Sequence, residues 1–281
     1  MIGQPLRAAD VFSALSVFMT LRMPLGVIPA CFHMYVAMQN SMKRINKTLQ
    51  RPTVTEQPET GEKTAASLRS VEFRWFRTGP HVLADVSIHV SWGSSMGVIG
   101  GVASGKSTLL LGMLGGLPPT KGVVARAKAV TAYVPQRPII FSGPILDNIL
   151  MGNRRDDHRL WEAVSAAQFI KDLEQLPAGL GTEVGERGTT LSFGQQTRLN
   201  IARALYHSPN LLVADDPLAA VDVHVAAAIF EALLSWQQGP KKSWKRGVQE
   251  DRRRALVLAT NQLHLIHKLD HIVYLDRGSV S

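Results

Sequence analysis

The chain has one cysteine, Cys31, among 281 residues. That excludes an internal disulfide and any metal cluster built on cysteine pairs. A lone thiol fits a reducing compartment. The 45% hydrophobic content is ample for a core, and the length suits one large domain plus an extra element. Acidic side chains are also short in supply: 22 Asp and Glu face 31 Lys and Arg, for a net charge of +9. The surplus points to nucleic acid, phosphate ligands or an anionic membrane face, and charge alone does not choose among them. No internal repeat is present. A secretory leader is not expected either, because the N-terminal apolar stretch is too long and no basic cluster precedes it.

That stretch, residues 9–38, carries only Asp10, Arg22 and His33 as titratable groups. It exceeds the roughly 20 residues that cross a bilayer as a helix. Lys43, Arg44 and Lys47 follow at once, as on a cytoplasmic flank. Pro24, Pro29 and Arg22 interrupt it, so a buried helix of a soluble domain is the competing reading. A helix within a membrane bundle fits better, with Arg22 turned to a polar cavity. Such a helix implies companions. Residues 48–67, rich in Thr, Glu, Pro, Gly and Lys, read as a solvated linker.

A second domain is expected from Leu68 to Ser281. Val71–Trp75 and Val82–Val90 alternate like strands. Trp75 can stack on an adenine ring or be an ordinary core tryptophan, and spacing does not decide. A short apolar run, Met96–Ile99, leads into Gly100-Gly101-Val102-Ala103-Ser104-Gly105-Lys106-Ser107-Thr108 and then a helical pattern. Strand, glycine-rich loop and helix in that order form a phosphate cradle. Backbone N–H groups curl around the anion, and the helix start adds its positive end. Lys106 would reach the β- and γ-phosphates, and the Ser107 hydroxyl would hold Mg²⁺. Thr131–Gln136 reads as a strand ending in a glutamine that can ligate Mg²⁺ or orient water. A helical region is expected from Ile145 to about Leu176. Leu191–Gln195 precedes a helix over Gln196–Tyr206, so Ser192 and Gly194 mark either an anion site or a simple N-cap. Leu211–Asp216 is a buried strand ending in two carboxylates, where the first Asp would hold Mg²⁺ at the strand's carboxyl end. Asp222 leads into a helix through Trp236. Residues 239–254 form a basic insertion, read as a surface loop in preference to a nucleic-acid arm. Ala255–Ala259 is a strand ending at Thr260-Asn261-Gln262, and His271–Gly278 a strand and turn.

In this order the motifs resemble the ATP-binding cassette of ABC transporters: phosphate loop, glutamine at Gln136, Thr182–Gly188, Leu191–Gln195, Asp215, Asp222 and Asn261. Thr182–Gly188 resembles the loop by which exporters sense their membrane domains. Asp215–Asp222 resembles the first cassette of the C subfamily, the multidrug-resistance-associated proteins. The N-terminal helix with Ser41–Ile45 resembles the last helix of the first membrane domain. The resemblance implies an α/β P-loop NTPase cassette with an antiparallel β edge near Trp75 and a helical signature subdomain over about 144–190, preceded by residues 1–47 as the C-terminal part of a transmembrane domain with one membrane helix over about 9–38. It implies ATP and Mg²⁺ as cofactors. Trp75 and Gly100–Thr108 would hold the nucleotide, Ser107, Gln136 and Asp215 the metal. Ser192, Gly194 and Gln195 would grip the ATP of a partner cassette. Gln136, Asp216 and Asn261 would serve catalysis. A second cassette, further membrane domains, membrane lipid and small-molecule cargo would be the partners, with no nucleic acid. The cassette would lie on the cytoplasmic side of a multi-pass transporter, of which this chain is expected to be one part, starting inside a membrane domain and stopping within a hairpin.

Three residues depart from the family pattern. Phe193 stands where the signature has its first glycine, Asp216 where a Glu polarises water, and Asn261 where a histidine contacts the γ-phosphate. Loss of one positioned catalytic group commonly costs about 10²–10⁴ in rate. The expectation is a cassette that binds ATP well, hydrolyses slowly at its own site, and serves export of amphipathic organic anions, conjugates or drugs. Two other classes compete: an ATP-gated regulatory module with little hydrolysis, and a soluble cassette ATPase acting on nucleic acid or ribosomes. The apolar 11–38 stretch and the exporter-type loop argue against the second.

Overall fold

The computed structural model describes residues 7–50, 58–76, 79–185, 188–219, 221–239 and 253–281. The chain divides into two compact units, Met1–Thr55 and Glu56–Ser281. Most of the basic insertion, residues 240–252, lies outside the described residues, as do residues 186 and 187 of the expected sensing loop and 51–57 of the expected linker.

Among its described residues the first unit is one helix, α1 (Ala8–Leu49), 42 residues long and without a buried residue. It is long and apolar enough to cross a membrane. It continues well past the expected end at residue 38, because Gln39 to Leu49 contain no glycine or proline and several good helix formers. At 1.5 Å per residue it spans roughly 60 Å, about twice the hydrocarbon thickness. The basic residues Lys43, Arg44 and Lys47 therefore ride on a polar extension of the same helix.

The second unit begins with a three-stranded antiparallel sheet in the order β2 (Leu83–Ser91), β1 (Thr64–Phe73), β4 (Lys121–Arg126). β1 starts before the expected Leu68. Ala65 and Ala66 are fully buried and pair into the sheet, a contribution that a composition rich in small and polar residues conceals. The main sheet has six strands in the order β11 (Ser279–Val280), β10 (His271–Asp276), β3 (Ser95–Gly100), β9 (Ala255–Ala259), β8 (Leu211–Asp215), β5 (Thr131–Val134). All its pairings are parallel except β10–β11.

The strands β8 and β9 are apolar at successive positions because both faces of the sheet are covered. Leu212, Ala214, Leu256 and Leu258 join one core with α6 (Phe193–Tyr206) and α7 (Val223–Gln238). Leu211, Val213, Val257 and Ala259 join the other with α2 (Lys106–Met113) and the antiparallel sheet. Gly112 on α2 lets the Phe73 ring approach where a Cβ would overlap it.

The helical region beyond the sheet is not continuous to Leu176. It comprises α3 (Ile145–Leu150), α4 (Asp157–Ala166) and α5 (Ile170–Gln175). Met151 and Gly152 after α3, and Gln168 after α4, take positive φ, which ends a right-handed helix. A short pairing of β6 (Gly143–Pro144) with β7 (Glu183–Val184) closes this layer.

Candidate functional site

The parallel register places four strand ends on one edge of the sheet. Val98 pairs with Ala259, Asp215 with Ala259, and Val134 with Ala214. Whatever follows β3, β5, β8 and β9 therefore converges at the carboxyl edge, where ligands of open α/β sheets bind. After β3 comes the loop 101–105, after β5 Gln136, after β8 Asp216, and after β9 Asn261.

A cavity of about 330 Å³ opens there. Trp75, the loop from Val102 to Thr108, Gln136, Asp215, Asp216 and Asn261 line it, together with Val82. Trp75 is half exposed, which rules out the packed-core alternative. Gly100 and Gly101 sit behind this lining. A Cβ on Gly100 would overlap the Leu275 carbonyl, so the loop leaves β3 against β10's backbone. Gly105 has φ +106°, and a Cβ there would lie 2.6 Å from Leu83 Cδ2. Ala103 also takes a left-handed φ of 61°. These turns bring the loop onto the start of α2, whose first N–H groups have no intrahelical partner.

Lys106 Nζ donates to the carbonyls of Gly100 and Gly101, at 2.7 and 2.9 Å. Its ammonium is thus held over the loop, beside the carboxylates. Asp215 and Asp216 are both buried. The Tyr133 hydroxyl donates to Asp215 Oδ2 at 3.5 Å, and burial followed by the Asp215 charge pushes the phenol up to about 12. Asn261 Nδ2 donates to Asp216 Oδ2 at 3.4 Å. Burial raises the Asp216 carboxyl above the usual range, and Asp215 adds to that, while Lys106 and Asn261 oppose it. Asp216 takes φ 47° to turn out of β8.

Two buried oxygens here, Ser104 Oγ and Asp216 Oδ1, have no hydrogen-bond partner among the described residues. Together with the hydroxyl of Ser107 and the Asp215 carboxylate they form a hard-oxygen set beside an ammonium. That chemistry fits a magnesium-bound polyphosphate.

Ser192, Gly194 and Gln195 lie apart from this cavity, at the start of α6. Ser192 Oγ accepts from Gln195 N at 3.2 Å and Gln195 Oε1 accepts from Ser192 N at 2.9 Å, a reciprocal capping box. Gln195 Nε2 donates to Asp172 Oδ1 at 3.3 Å, and Asp172 is held by Arg198 at 2.7 and 2.8 Å. The Gln195 amide is thereby committed at both ends to positioning the helix start, which leaves the Ser192 O–H and the Gly194 backbone as the groups α6 can offer outward. Phe193 stands half exposed beside them.

Sequence reasoning missed Tyr133 and Val82. Tyr133 pairs with Val213, two residues before Asp215, so Tyr133 and Asp215 share a sheet face. Only the inter-strand register shows this. The capping role of Gln195 did carry a sequence signal, the Ser-x-x-Gln spacing at a helix start.

Residues 83–219 match the family model described as ABC transporter. Over 278 residues, 98% of this chain, the sequence is 34% identical to "ATP-binding cassette sub-family C member 2" of Homo sapiens, of which it covers 17%. It is 34% identical over 280 residues to "ATP-binding cassette sub-family C member 3" of Mus musculus and to that of Homo sapiens, covering 98% of this chain and 18% of each. The chain thus spans less than a fifth of the length of these curated relatives.

Proposed function

The chain belongs to the ABC transporter family, with the α/β cassette fold over its second unit, and from that premise we propose that it binds MgATP and serves as the first cassette of an exporter. The observation that carries this reading is the convergence of Trp75, the phosphate loop, Gln136, Asp215, Asp216 and Asn261 on one cavity.

Within it Trp75 stacks on the adenine, and the loop N–H groups with Lys106 bind the phosphates. Ser107, Asp215 and Gln136 supply oxygens for Mg²⁺, which when bound neutralises phosphate charge. Asp216 accepts the proton of the attacking water, and Asn261 donates to the γ-phosphate. Ser192 and Gly194 at the α6 start serve the nucleotide of a second cassette. Residues 1–47 carry the last helix of a membrane domain, with Lys43, Arg44 and Lys47 on the cytoplasmic side. The cargo class is amphipathic organic anions, conjugates or drugs.

Hydrolysis at this chain's own cavity is slow. The Asp216 carboxylate is one methylene shorter than a glutamate and is already bonded to Asn261. Asn261 brings an amide but no positive charge to the γ-phosphate. Each shortfall removes part of a positioned catalytic group, an effect of about 10²–10⁴ in rate.

Equilibrium ATP binding to the full chain in detergent, with and without Mg²⁺, tests the site. Lys106→Ala is expected to weaken binding at least about tenfold, since it removes a charge-assisted phosphate contact. Binding that is unchanged without Lys106, or absent in the wild type, contradicts the reading.

A further inference from the structure

The segment that follows Gln136 leaves the sheet after β5, which ends at Val134. It is bolted to α6. Arg203, on the last turn of α6, donates from Nη1 to Ile139 O at 2.6 Å and from Nε to Asn148 O at 2.6 Å. Its Nη2 donates to Asn148 Oδ1 at 2.9 Å, and Nη1 also reaches Asn200 Oδ1 at 3.3 Å. The guanidinium lies 5.4 Å over the Phe141 ring.

Asn148 completes the clamp. Its Oδ1 accepts from Phe141 N at 2.9 Å, and its Nδ2 donates to Phe141 O at 2.8 Å and Pro144 O at 3.2 Å. The buried Asn148 thus gives Phe141 the N–H and C=O pairing a neighbouring strand would give, and also binds Pro144 O.

Among the described residues Arg203 has no carboxylate partner. Burial lowers its proton affinity to about 10, so it stays charged at neutral pH without an ion pair. A half-buried cation whose acceptors are carbonyls and amides gains less than one paired with a carboxylate. Its planar fork, however, holds several acceptors at fixed angles, which a point charge such as Lys does not. The smaller gain points to a positioning task.

We propose that Arg203 is the positioning residue that joins the loop from Gln136 to the signature helix α6, so that occupation of this chain's own nucleotide cavity alters the Ser192 end of that helix. The inference rests on the proposed reading of the cavity as the nucleotide site. Gln136 lies at one end of the linkage, in the cavity. Ile139 and Phe141 are its middle. Arg203 and Ser192 lie on, and at the start of, one 14-residue helix. A ligand that draws on Gln136 therefore pulls on α6 through the guanidinium fork, and the group presented to the partner's nucleotide moves with it.

Amide hydrogen exchange on the full chain in detergent, with and without MgATP, tests this beside a direct binding measurement. In the wild type, MgATP is expected to slow exchange both at residues 137–144 and at 193–198. In Arg203→Lys the affinity for MgATP stays within about threefold, protection at 137–144 persists, and the change at 193–198 is lost. A purely architectural Arg203 would instead raise exchange in α6 equally with and without nucleotide. Asn148→Asp, which keeps an acceptor for Arg203 but removes the two donations to Phe141 and Pro144, is expected to behave likewise and decides the matter if Arg203→Lys does not fold. Full nucleotide-induced protection at 193–198 in the variants overturns the proposal. Binding by the wild type with no change at 193–198 overturns it alone, whereas no binding by the wild type overturns the nucleotide reading and this inference with it.

Discussion

Replacing Asp172 with Ala should be among the most damaging single changes outside the cavity. Asp172 sits on α5, and its carboxylate accepts from Arg198 Nε at 2.7 Å and Nη2 at 2.8 Å, with Gln195 Nε2 as a third donor at 3.3 Å. The side chains are only 12% and 13% exposed. The substitution leaves the guanidinium buried with its carboxylate gone, which costs about 3–5 kcal/mol. Loss of the neutral bond from Gln195 adds about 1 kcal/mol. Against a typical domain stability of about 5–15 kcal/mol this is a large fraction. Urea unfolding of the full chain, followed by tryptophan fluorescence, is the assay, with the midpoint falling and the slope unchanged. The control is Asp172→Leu with Arg198→Met, which removes both charges and is expected to be within about 1 kcal/mol of wild type or more stable. A loss below about 1 kcal/mol for Asp172→Ala, or a double variant as unstable as the single one, would refute the reasoning.

Three further outcomes follow from the same structure. Gly105→Ala, at φ +106° and with its new Cβ against Leu83, should cost about 1–3 kcal/mol of strain and abolish nucleotide binding; calorimetry reads both. Asp216→Asn should stabilise the cassette at neutral pH. A raised carboxyl destabilises the folded state once pH exceeds the unfolded value and not below it, so the gain in Tm should vanish below about pH 4. Leu212→Ala, at a fully buried position on β8, should cost about 2–5 kcal/mol in urea titrations without changing the cavity's residues.

The parallel core was legible because β8 and β9 are continuous apolar runs that end in the residues needed at the sheet edge. The tight turn from Gly100 to Gly105 was legible because its glycines answer to backbone geometry: Gly100 passes Leu275, and Gly105 turns beside Leu83. Boundaries set by tertiary contact were not. The early start of β1 depends on neighbours that bury Ala65 and Ala66. The breaks at Met151 and Gln168 are left-handed turns at exposed non-glycine residues, which residue type does not announce. The extension of α1 to Leu49 was hidden by its change from apolar to polar composition. In the site, single-chain order identified the residues lining the cavity, whereas Tyr133 against Asp215 and Arg203 against Ile139 require strand register and a long-range approach.

The most direct test of the account is nucleotide turnover at this chain's own cavity, in the full chain paired with a second cassette, comparing wild type with Asp216→Glu plus Asn261→His. The account predicts that the wild-type site retains its nucleotide, and that the double change raises turnover at least about tenfold by restoring two positioned groups. Rapid ADP release from the wild-type site, with no gain from the double change, would contradict it.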